Sequence, residues 1–341
     1  MSKLRSRFVT VSLGLLLAIL ITPQLGSALI VPTDIRLILS VSTNKSVYGR
    51  AETVTVKGTL RLGIDPVLDG VVGIQVNKPN GDLLLVRSNT TGAGGTWDVE
   101  ILAAYPSDSA GNPKSSFLRG TLVWFTTVIR NNLGVDKALA LILTIFYSNM
   151  VPYKAWIPVQ LSIGPGNQTF YVSYPIPTDA VPGQYRFFAN AFSELPSLNG
   201  YAYCPEKSAT FNITSTASLA VASDIESQTV QTTSIDGSYS LSFRLSTSAM
   251  LGNYSVYAGA YYKGQQPQGQ QDNAASTFQV ILVGDVNKDG KVDGKDIAIA
   301  AKAYGTKPGD EYWDPRADLN KDDRVDGKDL AIISKNFGQI G

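Results

Sequence analysis

The chain has 341 residues, with 29 Lys and Arg set against 28 Asp and Glu. That near-neutral balance, net +1, excludes strong electrostatic steering toward nucleic acid or an anionic membrane. There is no histidine and one cysteine, which excludes His-based catalytic triads, His-ligated zinc and intrachain disulfides.

In chain order, residues 1–28 read as a secretory signal. Lys3, Arg5 and Arg7 precede an apolar stretch from Val9 to Ile21, followed by Pro23 and the small-residue exit Gly26-Ser27-Ala28. The stretch falls short of the roughly 20 residues of a transmembrane helix. A secreted or cell-surface protein is expected, with no membrane insertion once the signal is cleaved; an uncleaved anchor is the alternative. Asn44, Asn89, Asn167, Asn212 and Asn253 each begin an N-x-S/T sequon, in keeping with export.

Between residues 29 and 283, runs of Val, Thr, Tyr and Phe alternate with Gly, Pro, Asn and Asp breakers, without a helical period. The expected class is mostly β: two or three tandem sandwiches, followed by a small all-α module. The divisions expected are 29–105, 106–214 and a short third unit at 215–283. The first unit should carry strands near Ile35–Val41, Thr53–Leu62, Val71–Val76, Leu83–Arg87 and Thr96–Leu102, with Pro79-Asn80-Gly81-Asp82 as a hairpin turn. Its strings SVYGRAETVTVKGTL, VVGIQVNKPNGDLLL and GTWDVEI resemble immunoglobulin-like domains of bacterial and archaeal surface proteins.

In the second unit, Gly120–Arg130 opens a sheet and the apolar run Ala138–Tyr147 reads as a buried strand. The cadence VPGQYRFFANAF then SATFNI returns in the third unit as MLGNYSVYAGAY then ASTFQV. Both are expected to be closing hairpins of related units, with Gly264–Asn273 as the loop of the later one. Trp97, Trp124, Trp156, Tyr201 and Tyr203 are the aromatics that could serve a polysaccharide surface. Packing in the core or in hairpins is the commoner use of such residues. The 16 acids of residues 1–283 form no recognisable catalytic string, so no enzyme is expected, and Cys204 reads as a small buried residue.

Residues 284–341 hold the other 12 acids. DVNKDGKVDGKDIAIAAKAYG from Asp285 and DLNKDDRVDGKDLAIISKNFG from Asp318 share 13 of 21 positions. Asp, Asn, Asp, Asp and Asp occupy positions 1, 3, 5, 9 and 12, the spacing by which a 12-residue loop wraps oxygens around Ca²⁺. Loop one offers Asp285, Asn287, Asp289, the Lys291 carbonyl, Asp293 and Asp296. Loop two offers Asp318, Asn320, Asp322, the Arg324 carbonyl, Asp326 and Asp329, so two Ca²⁺ ions are expected. Position 6 needs a left-handed turn, supplied by Gly290 in loop one and by Asp323, at a cost of roughly 1 kcal/mol, in loop two.

With Asp at position 12, an apolar helix after each loop and no helix signal before it, this segment resembles a dockerin module. The resemblance implies calcium-dependent docking on a cohesin-containing protein in an extracellular assembly linked to polysaccharide breakdown. It places partner contacts at Gly294, Lys295 and Lys302 and, in the second copy, at Gly327, Lys328 and Lys335. A carbohydrate-binding accessory, or a glycan-degrading component whose sandwiches bind polysaccharide, is the alternative.

Overall fold

The computed structural model describes residues 36–215, 228–229, 234–267 and 274–341. The expected signal lies outside them. Among the described residues, no helix is long and apolar enough to cross a membrane.

Two β-sandwiches account for the described residues before 284, and one is inserted into the other. The outer sandwich has a first sheet of Leu37–Leu39, Thr53–Leu62 and Ser238–Arg244, with short partners Ser42–Thr43 and Asp65–Pro66 on Thr53–Leu62. Its second sheet runs Val47–Gly49, Ala274–Ile281, Gly252–Ala260, Val71–Asn77 and Leu83–Thr90. The inserted sandwich pairs Gly166–Pro175, Leu122–Asn131 and Val99–Ser107 in one sheet. Its other sheet runs Pro152–Ile163, Lys137–Tyr147, Gly183–Phe192, Lys207–Thr214 and Gln228–Thr229, with Ser116–Leu118 beside Lys207–Thr214.

The strands named from sequence form close to where they were placed, but they assort differently. Val54 pairs with Phe243, and Val76 with Val256, so residues expected in the first and third units share both sheets of one sandwich. Val99–Ser107 leaves the first unit and pairs with Leu122–Asn131 of the inserted sandwich. The reason is one of area. Neither 29–105 nor 215–283 has strands enough to cover its own apolar face, and together they enclose the core of Val54, Val56, Tyr239, Phe243, Tyr254 and Phe278.

The repeated cadence becomes repeated geometry. Gly183–Phe192 with Lys207–Thr214, and Gly252–Ala260 with Ala274–Ile281, are the two antiparallel closing hairpins. In each, the tyrosine two residues into the strand donates its hydroxyl to the carbonyl four residues back: Tyr185 to Val181 at 2.7 Å, Tyr254 to Met250 at 2.9 Å. Each ring then stacks on the phenylalanine of the closing strand, Tyr185 on Phe211 and Tyr254 on Phe278. Each closing strand also takes a short parallel partner, Ser116–Leu118 in one sandwich and Val47–Gly49 in the other.

The sandwiches meet face to face, which explains the run Ala138–Tyr147. Residues Leu139 to Phe146 are buried without interruption, because one face of the strand meets its own core and the other meets the outer sandwich. Val71, Val86, Ala140, Ile142, Phe192 and Ala202 fill the seam. A Cβ on Gly73 would come within 2.2 Å of the Phe192 ring, so the close approach requires glycine there. Across the seam Arg87 Nε and Nη2 donate to the two Glu206 carboxylate oxygens at 2.7 and 2.5 Å, and both side chains are almost wholly buried. The guanidinium lies 3.3 Å from the centre of the Phe188 ring.

The C-terminal module adds helices α1 (Gly294–Lys302) and α2 (Gly327–Asn336) around a small core of Val286, Val292, Ala300, Ala303, Val325 and Ile333. Leu251 and Leu282 extend that core to the outer sandwich, and Arg50 Nη1 donates to the Ile340 carbonyl at 2.5 Å. The module follows the last strand directly and is seated on the sandwich, as a stiff joint requires.

Candidate metal centre and docking surface

Each 12-residue loop is shaped by its own acids accepting backbone N–H groups. In loop one, Asp285 accepts from the amides of Asp289 (3.1 Å) and Gly290 (3.0 Å), Asn287 Oδ1 from Asp289 (2.9 Å), and Asp289 from Lys291 (3.2 Å). Loop two repeats the first three at Asp318 and Asn320, with distances of 3.2, 3.1 and 2.9 Å. These Asx-type turns coil the backbone without any secondary-structure ladder. They require a left-handed residue at position 6, met by Gly290 at φ 83° and by Asp323 at φ 60°. Asp323 does adopt the strained conformation expected of it.

Position 9 caps each helix. Asp293 accepts from Lys295 N, while the position-12 carboxylate, Asp296, accepts from Asp293 N, a reciprocal capping box. Asp326 and Asp329 do the same for α2. Asp296 also takes the amides of Val286 (2.7 Å) and Asn287 (3.1 Å), and Asp329 those of Leu319 (2.8 Å) and Asn320 (3.2 Å). Both carboxylates are completely buried. With about four lone-pair sites per carboxylate, three N–H bonds leave each one site for a further ligand.

The donor set fits a hard cation: Asp and Asn side-chain oxygens and a peptide carbonyl at position 7, without nitrogen or sulfur. Among the described residues, no three His, Cys, Asp or Glu side chains already stand grouped as a metal cluster. The Asp289 and Asp322 carboxylates accept from Lys295 Nζ at 3.1 Å and Lys328 Nζ at 2.8 Å, and from the Asn287 and Asn320 amide groups at 3.0 Å. The lysine bonds, first among their causes, hold both carboxyls below the usual Asp range and raise the two lysines.

The residues assigned to partner contact lie at the start and in the last turn of each helix. Gly294 and Gly327 open the helices, and Lys302 and Lys335 lie exposed in their last turns. Lys295 and Lys328 are also exposed, about 70% at the side chain, yet both are tied to position 5 of their own loops. Sequence spacing missed this tie. The signal was there in both copies, as a lysine six residues after the position-5 acid.

The copies interlock as a pair. Gly305, after α1, donates to the Val325 carbonyl in loop two, and Gly338, after α2, donates to the Val292 carbonyl in loop one, each at 2.8 Å. Each helix tail therefore braces the other copy's loop, the pattern of an approximate twofold. The first tail continues into a linker, where Tyr312, Trp313 and Arg316 line a groove beside Ile299 and Lys302.

The remaining sequence candidates are placed as follows. Trp156 packs against Phe125 and Tyr174 inside the inserted sandwich. Trp124 is half-buried. Tyr203 is buried, and with the less buried Trp97 and Tyr201 it lines a groove. Cys204 is buried and its thiol is pushed up to about 12 by that burial. Of the sequons, Asn89 is buried with Nδ2 donating to the Ser240 carbonyl at 2.6 Å, while Asn44, Asn167, Asn212 and Asn253 are exposed.

Residues 283–338 match the family model of the dockerin type I domain. Dockerin domains are non-catalytic modules that bind calcium and dock onto cohesin-bearing partners. No curated protein matches the chain. Partial likenesses among solved structures include a Pseudomonas fluorescens alkylpurine DNA glycosylase bound to DNA (17% identity, TM-score 0.27), covering 36% of this chain and 32% of that one. A CARDB domain from Pyrococcus furiosus in complex with di-metal ions is 15% identical over 35% of this chain and 96% of its own, with a TM-score of 0.22. Trypsin-activated alpha-2-macroglobulin from Escherichia coli is 12% identical over 73% and 24%, with a TM-score of 0.22. The chain spans about a third of the length of the first, and none of the three bears on function.

Proposed function

We propose that the chain is a secreted, non-catalytic assembly protein whose C-terminal module takes two Ca²⁺ ions and docks on a cohesin-containing partner. One ion would be held by Asp285, Asn287, Asp289, the Lys291 carbonyl, Asp293 and Asp296. The other would be held by Asp318, Asn320, Asp322, the Arg324 carbonyl, Asp326 and Asp329. The observation that carries this reading is the doubled loop, with each position-12 acid buried and three N–H bonds leaving it room for one more ligand. Calcium would draw the loop acids into one shell and so fix the entry of each helix.

Docking would use Gly294, Lys295 and Lys302 on one face, or Gly327, Lys328 and Lys335 on the other. Because the copies are related by an approximate twofold, a partner that recognises one face can take the other after a half-turn. Binding of the full chain to a cohesin module from the same host, measured by calorimetry in Ca²⁺ and in EDTA, tests the reading. Loss of one lysine pair (Lys295→Ala with Lys302→Ala) should weaken binding slightly, and loss of both pairs should cost at least about 2 kcal/mol. Binding that survives EDTA overturns the calcium claim, and abolition by the first pair alone replaces two faces with one. The glycan-binding alternative has one feature in its favour, an aromatic groove outside the module.

A further inference from the structure

At one end of the seam between the sandwiches lies a groove of about 260 Å³. The outer sandwich contributes Asp69, Tyr261 and Lys263, and the inserted one Tyr201, with Trp97 and Asp98 from the crossing segment. We propose that this groove binds one or two rings of an uncharged saccharide, a site distinct from the calcium module. The proposal deepens the glycan-binding alternative and does not depend on docking.

Three observations point to that ligand class. First, the aromatic wall is rigid and spans both sandwiches. Tyr201 stacks on Tyr261 with ring centres 4.7 Å apart and planes within 16°, and meets Tyr203 edge-on at 5.4 Å. Tyr203 is in turn anchored by its hydroxyl, which donates to the Ala138 carbonyl at 2.8 Å. Tyr201 and Tyr261, both half-buried, are held at little entropic cost and line the groove with ring surface and polar rims, complementary to the C–H face and hydroxyl edge of a pyranose.

Second, the polar groups are acceptors set beside those rings. Asp69 is exposed and the Asp98 side chain is 40% exposed, so both carboxylates can accept from sugar hydroxyls.

Third, the charges cancel. Asp98 is 3.6 Å from Lys137 Nζ, and Lys263, whose Nζ lies 4.7 Å from the centre of the Tyr262 ring, lines the groove together with Asp69. Two carboxylates against two ammonium groups favour neither an anion nor a cation. The Tyr262 face, which could otherwise hold an ammonium ligand, already has a lysine over it. The volume lies just under the about 300–1,000 Å³ of drug-sized pockets, which suits a chain end or side branch better than a long glycan.

The test uses the full chain in Ca²⁺ buffer, with cello-, xylo-, manno- and chito-hexaose as probes, read by calorimetry and tryptophan fluorescence. At least one neutral hexaose should bind, and Tyr261→Ala or Asp69→Asn should each weaken it about tenfold. Asp69 is exposed, so Asp69→Asn leaves the fold intact and separates loss of contact from loss of structure. EDTA should leave saccharide binding unchanged, which keeps this result separable from failure of calcium-dependent docking. No binding of any hexaose at about 10 mM, equal binding by wild type and both variants, or preference for oligogalacturonate or betaine would each overturn the proposal.

Discussion

The sandwich pair and the C-terminal module achieve order by opposite means. The sandwiches enclose two large aromatic cores and a buried seam, with the Arg87–Glu206 pair as its charged contact among the described residues. The module has a core of only a few small aliphatic side chains, and its loops crowd acids together. A large core makes the fold self-sufficient, whereas a small one leaves much of the stabilisation to an ion that binds only the folded loops. On the proposed function, the module's folding is tied to its supply of calcium and the sandwiches' folding is not.

The largest expected effect comes from calcium itself. Binding at a thousandfold excess over Kd stabilises by about 4 kcal/mol per site. Circular dichroism of the full chain in EDTA should show loss of the helical contribution with the strand signal retained, reversed by Ca²⁺. If helix and strand signals respond together, or not at all, the two regions are not the separate cases described.

The seam is the matching weak point of the other region. Glu206→Ala leaves the Arg87 guanidinium buried without its partner and should cost about 3–5 kcal/mol of sandwich stability. Replacing both residues with apolar ones of similar size should recover most of that. Calorimetric titration of the module with Ca²⁺ should be unaltered by either change, and a shift would mean that the seam and the loops are coupled.

Smaller effects separate the two loops. Asp323 holds the left-handed turn that Gly290 occupies freely. Asp323→Gly should strengthen the second site by up to about 1 kcal/mol, less whatever its carboxylate contributes. A clear weakening would show that charge, not backbone conformation, governs position 6. The smallest effect near neutral pH is at Cys204, whose thiol is raised by burial from the usual 9.0 to about 12. Because the folded value is the higher one, the neutral thiol's contribution is complete below pH 9.0 and fades as pH rises toward 12. Iodoacetamide at pH 8 should leave the native thiol untouched and modify it in urea.

The module could be read from sequence almost residue by residue, because its chemistry is local. Side chains at fixed offsets bond the backbone two to five residues away, so spacing alone specifies the turns at Asp285 and Asp318. Strand positions and the Tyr185 and Tyr254 hairpins were legible for the same reason. The nesting was not. Nothing within Thr53–Leu62 indicates that its neighbour is Ser238–Arg244, since period-two alternation marks a face and not a partner. Nor does sequence show that Gly73 lets Phe192 approach, or that Tyr261 finds Tyr201, because those contacts form only after the insertion has folded back.

The insertion also sets an order of events during synthesis. Thr53–Leu62 leaves the ribosome long before Ser238–Arg244, and throughout that interval its edge has no partner. The inserted sandwich, whose strands run from Val99 to Thr229, can close first and present the surface around Ala140 and Phe192 on which Val71–Asn77 and Leu83–Thr90 settle. It thus acts as a template built into the chain, holding the early strands until the last hairpin arrives to seal them. The C-terminal module, seated on Leu251 and Arg50, reaches a finished platform only after that seal, so in this order the sandwiches are complete before the docking module is seated on them.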